Sequence, residues 1–353
     1  MLLTIINCTG SSYKEVPTGG SAAWTVTANS GYTTTGATFS PAGCGTISGS
    51  TVTISNVTGP HTCTVTLQSS DPLKSFTYTG DYAIKKASDY NLDTSNGDYT
   101  VLALLGDGTL TFLTDFEADV FLVGGGSSGK YANTTTGYGG GGGGGGFTKT
   151  VRVTFGTSGN AVVIGAGGAA RSSGEGTFNA GEDTTITIDG TTYTAEGAKT
   201  SPRTSPLAGV SGGSGGGTGT ADGNERGGKG GYDGDNGEDV STSAGADPGV
   251  GQGTTTRAFG ESSGTLFAGG GGGGGDGLQA HLGSHSGAGG SGGGGSGGYS
   301  KGISSSAYVN ATAGVDNTGG GGGGGGYPGT SSKTSVMRGA AGGSGIILIR
   351  VHK

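Results

Sequence analysis

Three uninterrupted glycine runs, at residues 139–146, 269–275 and 319–326, restrict this chain more than any other feature. An α-helix is excluded there by cost. Each glycine gives up about 1 kcal/mol against alanine, or about 8 kcal/mol over one run. An ordinary strand has no side chains to pack in such a run. The regular conformation left is the extended three-residue helix of the polyproline II type, polyglycine II when every residue is glycine. It has no internal hydrogen bonds, so its peptide groups are free to bond to neighbouring rods. Collagen shows why glycine is required, because any Cβ at the crowded contact blocks approach. Cα–H···O contacts between rods add to the cohesion.

At about 3.1 Å per residue, eight glycines span about 25 Å, and the repeated run length predicts rods of one shared height. Interrupted runs lie near 165–168, 212–217, 227–231, 287–298 and 342–345. In these the substituted positions should point outward. Lys229 and Tyr232, three residues apart, should therefore share one edge. Ordering so much glycine is entropically costly, which predicts a lattice that forms cooperatively.

Glycine supplies 89 of 353 residues and charged residues only 12%, a composition that by itself suggests disorder. Three features predict order instead. The runs are pure, unlike the Gly/Ser mixture of a flexible linker. Aromatic residues (Tyr138, Phe147, Phe267, Tyr299, Tyr327) stand at their ends, and the chain finishes with Ile346, Ile347, Leu348 and Ile349. That β-branched segment requires a partner strand.

The net charge of −7 disfavours nucleic acid, whose binding needs a basic face. No apolar run approaches the ~20 residues of a membrane span, so membrane insertion is not expected. The first residues lack the pattern of a signal peptide, and the expectation is synthesis in the cytoplasm without the usual export route. The three cysteines, Cys8, Cys44 and Cys63, form no zinc spacing. Cys44 and Cys63 bracket a hairpin-like segment and are either bridged or, with Cys8, small buried hydrophobes.

An all-β fold in three regions is expected. Residues 1–72 read as a small immunoglobulin-like β-sandwich, with alternating runs at 23–28, 51–55 and 62–67 and Trp24 in its core. Its segment 47–58 is loosely similar to repeat modules of bacterial surface and phage proteins. Residues 73–123 read as an antiparallel β cap, with strands starting at Phe76, Tyr99, Gly108 and Asp119 and tight-turn dipeptides at Asn96-Gly97 and Asp107-Gly108. Residues 124–353 are expected to form a polyglycine II lattice closed by a final strand at 346–351.

Some motifs dissolve on inspection. Residues 124–130 nearly spell a phosphate-binding loop, but Tyr131 stands where Ser or Thr is required, and no helix is expected to follow. Asp233, Asp235, Glu238 and Asp239 break the EF-hand spacing and read as a solvated acidic loop rather than a metal site. His281 and His285 would share a face only on a helix. No catalytic constellation assembles, so neither enzymatic activity nor a cofactor is expected.

The tyrosines carry more information. Tyr131, Tyr138, Tyr299, Tyr308 and Tyr327 fall at rod ends or in connecting loops near 127–137, 300–318 and 328–338. They either cap the lattice or form a recognition surface, since loop tyrosines supply contact area at low entropic cost. Phe147 and Phe267 read as caps.

Residues 119–126, 251–261 (Gly-Gln-Gly-Thr-Thr-Thr-Arg-Ala-Phe-Gly-Glu), 317–322 and 342–350 together resemble the glycine-rich domain of bacteriophage and prophage tail proteins. The similarity runs over roughly residues 73–353. The chain is also similar in type to tail-fibre adhesins built on polyglycine II. The resemblance implies a virion tail component, made in the host cytoplasm and released by lysis. Its partners would be other tail proteins and a host surface glycan or outer protein, bound through the five tyrosines named above. The alternative is a purely structural tail, baseplate or capsid-decorating protein. The sequence leaves the oligomeric state open, a homotrimer included, since no heptad stretch predicts a trimeric stalk.

Overall fold

A computed structural model of the chain describes residues 2–6, 8–10, 14–29, 32–57, 62–133, 137–220, 226–240, 245–275, 286–300, 308–327 and 337–352. Among these the fold is all-β. Helix is confined to the short 3-10 turns Pro72–Lys74, Ala87–Tyr90 and Ala258–Gly260. The chain divides into two compact units. The first is Met1–Thr77 with Thr111–Phe116 and Phe155–Gly159, and the second holds the remainder.

In the first unit, alternation of apolar and polar residues builds two sheets. One has the order Leu2–Ile6, Thr62–Ser69, Tyr32–Ser40, and the other Cys8–Gly10, Ala22–Ala28, Thr51–Ile54, Thr46–Ser48. Ala22, Trp24 and Val26 point inward on one strand, because successive side chains of a strand face opposite ways. They join Leu3, Val52, Ile54, Val65 and Leu67 from both sheets in one apolar core, with Trp24 at 1% exposure. Lys14 lies over the Trp24 ring, 5.6 Å from its centroid. Cys44 and Cys63 are bridged across 5.8 Å between Cα atoms, which decides between the two readings of that pair. The strand Leu2–Ile6, which no alternating run in the sequence marks, pairs parallel to Thr62–Ser69.

In the second unit the final strand Ile346–Val351 sits between Phe116–Val123 and Thr100–Leu104. Ile349 pairs with Val120 on one side and with Leu102 on the other. Burial of both faces accounts for the apolar runs 101–104, 120–123 and 346–349 within these strands. The predicted final strand therefore has two partner strands.

One expectation needs correction. Residues 124–353 are not glycine segments alone, because Thr148–Phe155, Asn160–Val163, Thr184–Ile188 and Thr191–Ala195 are strands set among them. Period-two alternation, threonine-rich in three of the four, drives them, and an Asp189-Gly190 turn closes the last pair, both residues taking a positive φ. Glycine abundance hid this period-two pattern.

The glycine runs themselves form neither helix nor strand. Their N–H groups leave the segment, in directions that repeat every third residue. Gly139, Gly142 and Gly145 donate to Thr220, Gly217 and Ser214, while Gly140, Gly143 and Gly146 donate to Gly325, Gly322 and Gly319. The descending acceptor numbers make both neighbours antiparallel. Along the second run, Gly269, Gly272 and Gly275 donate to Gly292, Gly295 and Gly298, a parallel neighbour. A Cβ on Gly142 would stand 2.0 Å from the Gly271 carbonyl oxygen, and one on Gly324 2.0 Å from that of Gly140. The three pure runs are enclosed, and so is the interrupted run 212–217, where Ser214 is buried at 0% exposure instead of pointing outward as expected. The run 227–231 has an open edge, where Lys229 and Tyr232 are both exposed as the spacing predicts.

Candidate functional site

The glycine segments of the second unit share two distinct ends. At one end several of them run into the sheet: Gly124 follows Val123, Phe147 precedes Thr148–Phe155, and Gly345 precedes Ile346–Val351. There Gly124 N–H bonds to Phe147 O and Gly146 N–H to Gly319 O. The opposite end is knitted by Gly140 N–H to Gly325 O, Gly275 N–H to Gly298 O, Tyr327 N–H to Gly275 O and Asn133 N–H to Tyr138 O. All five candidate tyrosines stand at this far end.

Their exposures differ. Tyr131 is 7% exposed, packs with Ala132, Met337 and Tyr327, and directs its hydroxyl 3.8 Å from Met337 Sδ. Tyr138 is half-buried against Leu207 and Ala246. Tyr299 pairs with Val309, and Tyr308 pairs with Ser300 in the same short ladder. Tyr308 is the most accessible of them at 38%. The expected loop beginning at Ser127 starts later, because Ser127 through Ala132 form an enclosed segment. Ser127 Oγ accepts the Gly144 N–H at 2.9 Å there. Residues 134–136, 301–307 and 328–336 of the candidate loops, and His281 and His285, lie outside the described residues.

Beside this end Lys130 is fully buried. Its ammonium donates to Ser201 Oγ, Arg203 O and Ser205 O, each at 2.9 Å. Burial pulls its pKa down to about 8. The donors that a phosphate would need are taken up by neutral oxygens, and Lys130 serves the lattice.

The 251–261 motif also has a structural role. The Gln252 amide nitrogen donates to Thr148 Oγ1 and Thr254 O, while its oxygen accepts from Thr148 N–H. Arg257 pairs with Asp233 at 3.0 Å. Asp233 is held below the ordinary carboxylate range: burial pushes it up, and hydrogen bonds from Thr255, Thr256 and Arg257 outweigh that push. Phe259 takes a left-handed φ of 54° and lies under the Arg350 guanidinium, 4.3 Å from its ring centroid. Arg350 also binds Asp119 at 3.1 Å, Tyr99 at 3.0 Å, and Glu261. The motif therefore clasps the final strand to the sheet.

A second feature was only half visible in the sequence. On the lattice flank a trough of about 300 Å³ is lined by Lys229, Tyr232, Asp235, Asn236, Glu238 and Ser291. The three-residue spacing places Lys229 and Tyr232 together. Asp235 and Asn236 reach the same trough because the chain reverses between Tyr232 and Asp235, with Asp235 N–H bonded to Tyr232 O at 3.0 Å. Asp233 and Gly234, both at positive φ, make that reversal. The four carboxylates are not one loop cluster, since Asp233 faces Arg257 and Glu238 faces Arg226 at 2.7 Å. Among the described residues no group of carboxylates, histidines and cysteines gathers around a metal position, and no helix is long and apolar enough to cross a membrane.

Enclosed glycine segments cross-bonded at every third residue, rooted in a β-sheet at one end and bearing side-chain clusters at the other, define a glycine-scaffolded all-β protein. The chain belongs to the glycine-rich domain family, whose profile matches residues 104–352. No curated protein matches the chain.

Proposed function

We propose that this is a non-enzymatic bacteriophage tail or tail-fibre protein that binds a host cell-surface receptor, a glycan or an outer protein, through the far end of a polyglycine II lattice. The observation that carries this reading is the gathering of Tyr131, Tyr138, Tyr299, Tyr308 and Tyr327 at the end opposite the sheet. A stiff scaffold holding tyrosines at one end is what a recognition surface needs, because preorganised aromatic side chains lose little entropy on contact. The period-three bonding and the Cβ exclusion at Gly142 support polyglycine II. The two-sheet core around Trp24 supports an immunoglobulin-like spacer or attachment module. The protein acts in the virion, beside other tail proteins, after release by lysis.

Adsorption blocking tests the proposal. The purified full chain, added to a panel of bacterial cells before phage challenge, is expected to bind at least one host and reduce adsorption to it. Tyr308→Ala is expected to weaken that binding about tenfold or more. Failure to bind any bacterial envelope overturns the reading.

The burial of Tyr131 and the half-burial of Tyr138 and Tyr327 favour a second reading, a purely structural virion protein. Tyrosine substitutions that stop particle assembly while leaving adsorption normal would select it.

A further inference from the structure

We propose that the flank trough is a subsite for an uncharged, hydroxyl-rich saccharide chain. This assignment rests on the host-binding reading and adds a ligand class and a second location to it. The trough lies beside Lys229 and Tyr232, on a different part of the lattice from the five end tyrosines.

The floor is backbone from Gly230, Gly231, Gly289 and Gly290. A Cβ on Gly290 would stand 1.8 Å from Gly231 O, so close packing between segments keeps the floor free of side chains. Its volume of about 300 Å³ is at the small end of the ~300–1,000 Å³ of ligand sites. Tyr232 is 51% exposed on its rim, leaving a ring face against which the C–H face of a sugar can lie. Among the described lining residues it is the one large apolar group, which argues against an apolar ligand.

The polar groups match hydroxyls. Asp235 offers a carboxylate, Asn236 and Ser291 offer a donor and an acceptor each, and Lys229 offers N–H donors. Asn236 Oδ1 already accepts the Gly251 N–H at 2.9 Å, which fixes its amide and aims the NH2 group. Charge decides the class. Glu238 accepts from Arg226 and from the Lys229 N–H at 2.9 Å, and its pKa is held down because these contacts and the nearby Lys229 charge outweigh burial. Arg226 and Lys229 thus offset Glu238 and Asp235 locally, on a chain of net charge −7. A polyanion gains nothing at such a site, whereas a neutral polyol pairs with donors and acceptors alike.

The test uses the full chain on an array of neutral and acidic bacterial surface polysaccharides, together with whole-cell adsorption. Binding to a subset of neutral polymers is expected, weakened at least tenfold by Tyr232→Ala and by Asp235→Asn and unchanged by Lys149→Ala, an exposed position away from both the trough and the end tyrosines. Unaltered melting of both trough variants, whose side chains are exposed, shows that the fold is kept. Absence of polysaccharide binding, preference for acidic polymers, or full binding by Tyr232→Ala overturns the assignment. If cells still adsorb the protein in those cases, the host-binding reading survives without the trough. If polysaccharide binding depends on Tyr232 but no cell adsorbs the protein, the trough survives and that reading fails.

Discussion

A methyl group on Gly142 would meet the Gly271 carbonyl oxygen at 2.0 Å, and nothing at that contact is a flexible side-chain end. Gly142→Ala is therefore expected to cost about 3 kcal/mol or more, the upper range of overpacking, read by chemical denaturation. Lys229→Ala, at an open edge of the same lattice, should stay within about 0.5 kcal/mol of the parent. Lys130 makes a pH prediction. Its pKa is pulled by burial to about 8 from 10.5. Below pH 8 both folded and unfolded chains hold the proton, and the buried ammonium carries its full cost. Between about 8 and 10.5 the unfolded chain keeps a proton that the folded chain has released, so this group's contribution to stability rises with pH, by at most roughly 3 kcal/mol. Tyr78 and Tyr90, raised by burial and then by neighbouring carboxylates to about 12, act in the opposite sense above pH 10. Stability measured from pH 7 to 10 should rise more steeply in the parent than in Lys130→Met. Equal slopes would refute the shift.

At the scale of elements, the final strand is held by hydrogen bonding on both sides and by the clasp at Arg350. Arg350 and Asp119 are 9% and 8% exposed, so removing the guanidinium takes one of the close partners from a buried carboxylate, which keeps His352 at 3.0 Å, and from Glu261 as well. Arg350→Met is expected to cost roughly 3–5 kcal/mol, while Arg152→Met, whose exposed side chain lies 3.5 Å from the same Asp119, should cost under about 1 kcal/mol. Denaturation midpoints of the two variants check the contrast. The final strand and the strands at Thr51–Ile54 and Thr62–Ser69 were legible because apolar runs and period-two alternation are local signals. The pairs Asn160–Val163 with Thr184–Ile188 and Thr184–Ile188 with Thr191–Ala195 were not. They are short, two of them are threonine-rich, and a glycine-rich stretch separates Asn160–Val163 from Thr184–Ile188, so the period-two signal is weak.

At the scale of the whole molecule, the two units respond to different perturbations. The Cys44–Cys63 bridge lies in the first, and its removal as Cys44→Ala with Cys63→Ala should cost that unit about 2–4 kcal/mol. Amide exchange would show faster opening within residues 2–77 and unchanged protection at the glycine segments. Within the second unit, period-three bonding links 139–146 to 214–220, 269–275 and 319–326. Gly142→Ala should therefore speed exchange in all of these together rather than at one run.

The sequence alone determined that the pure runs could be neither helix nor ordinary strand, because glycine has no Cβ and pays heavily for order. It also determined that substitutions three residues apart share an edge, because that follows from the repeat of the backbone. Which runs are enclosed, which neighbours are parallel, and that five distant tyrosines reach one end were decided by tertiary structure. So were the trough beside Tyr232 and the burial of Lys130. Each depends on backbone-to-backbone bonds between segments far apart in the chain, and identical glycines carry no side-chain signal of their partner.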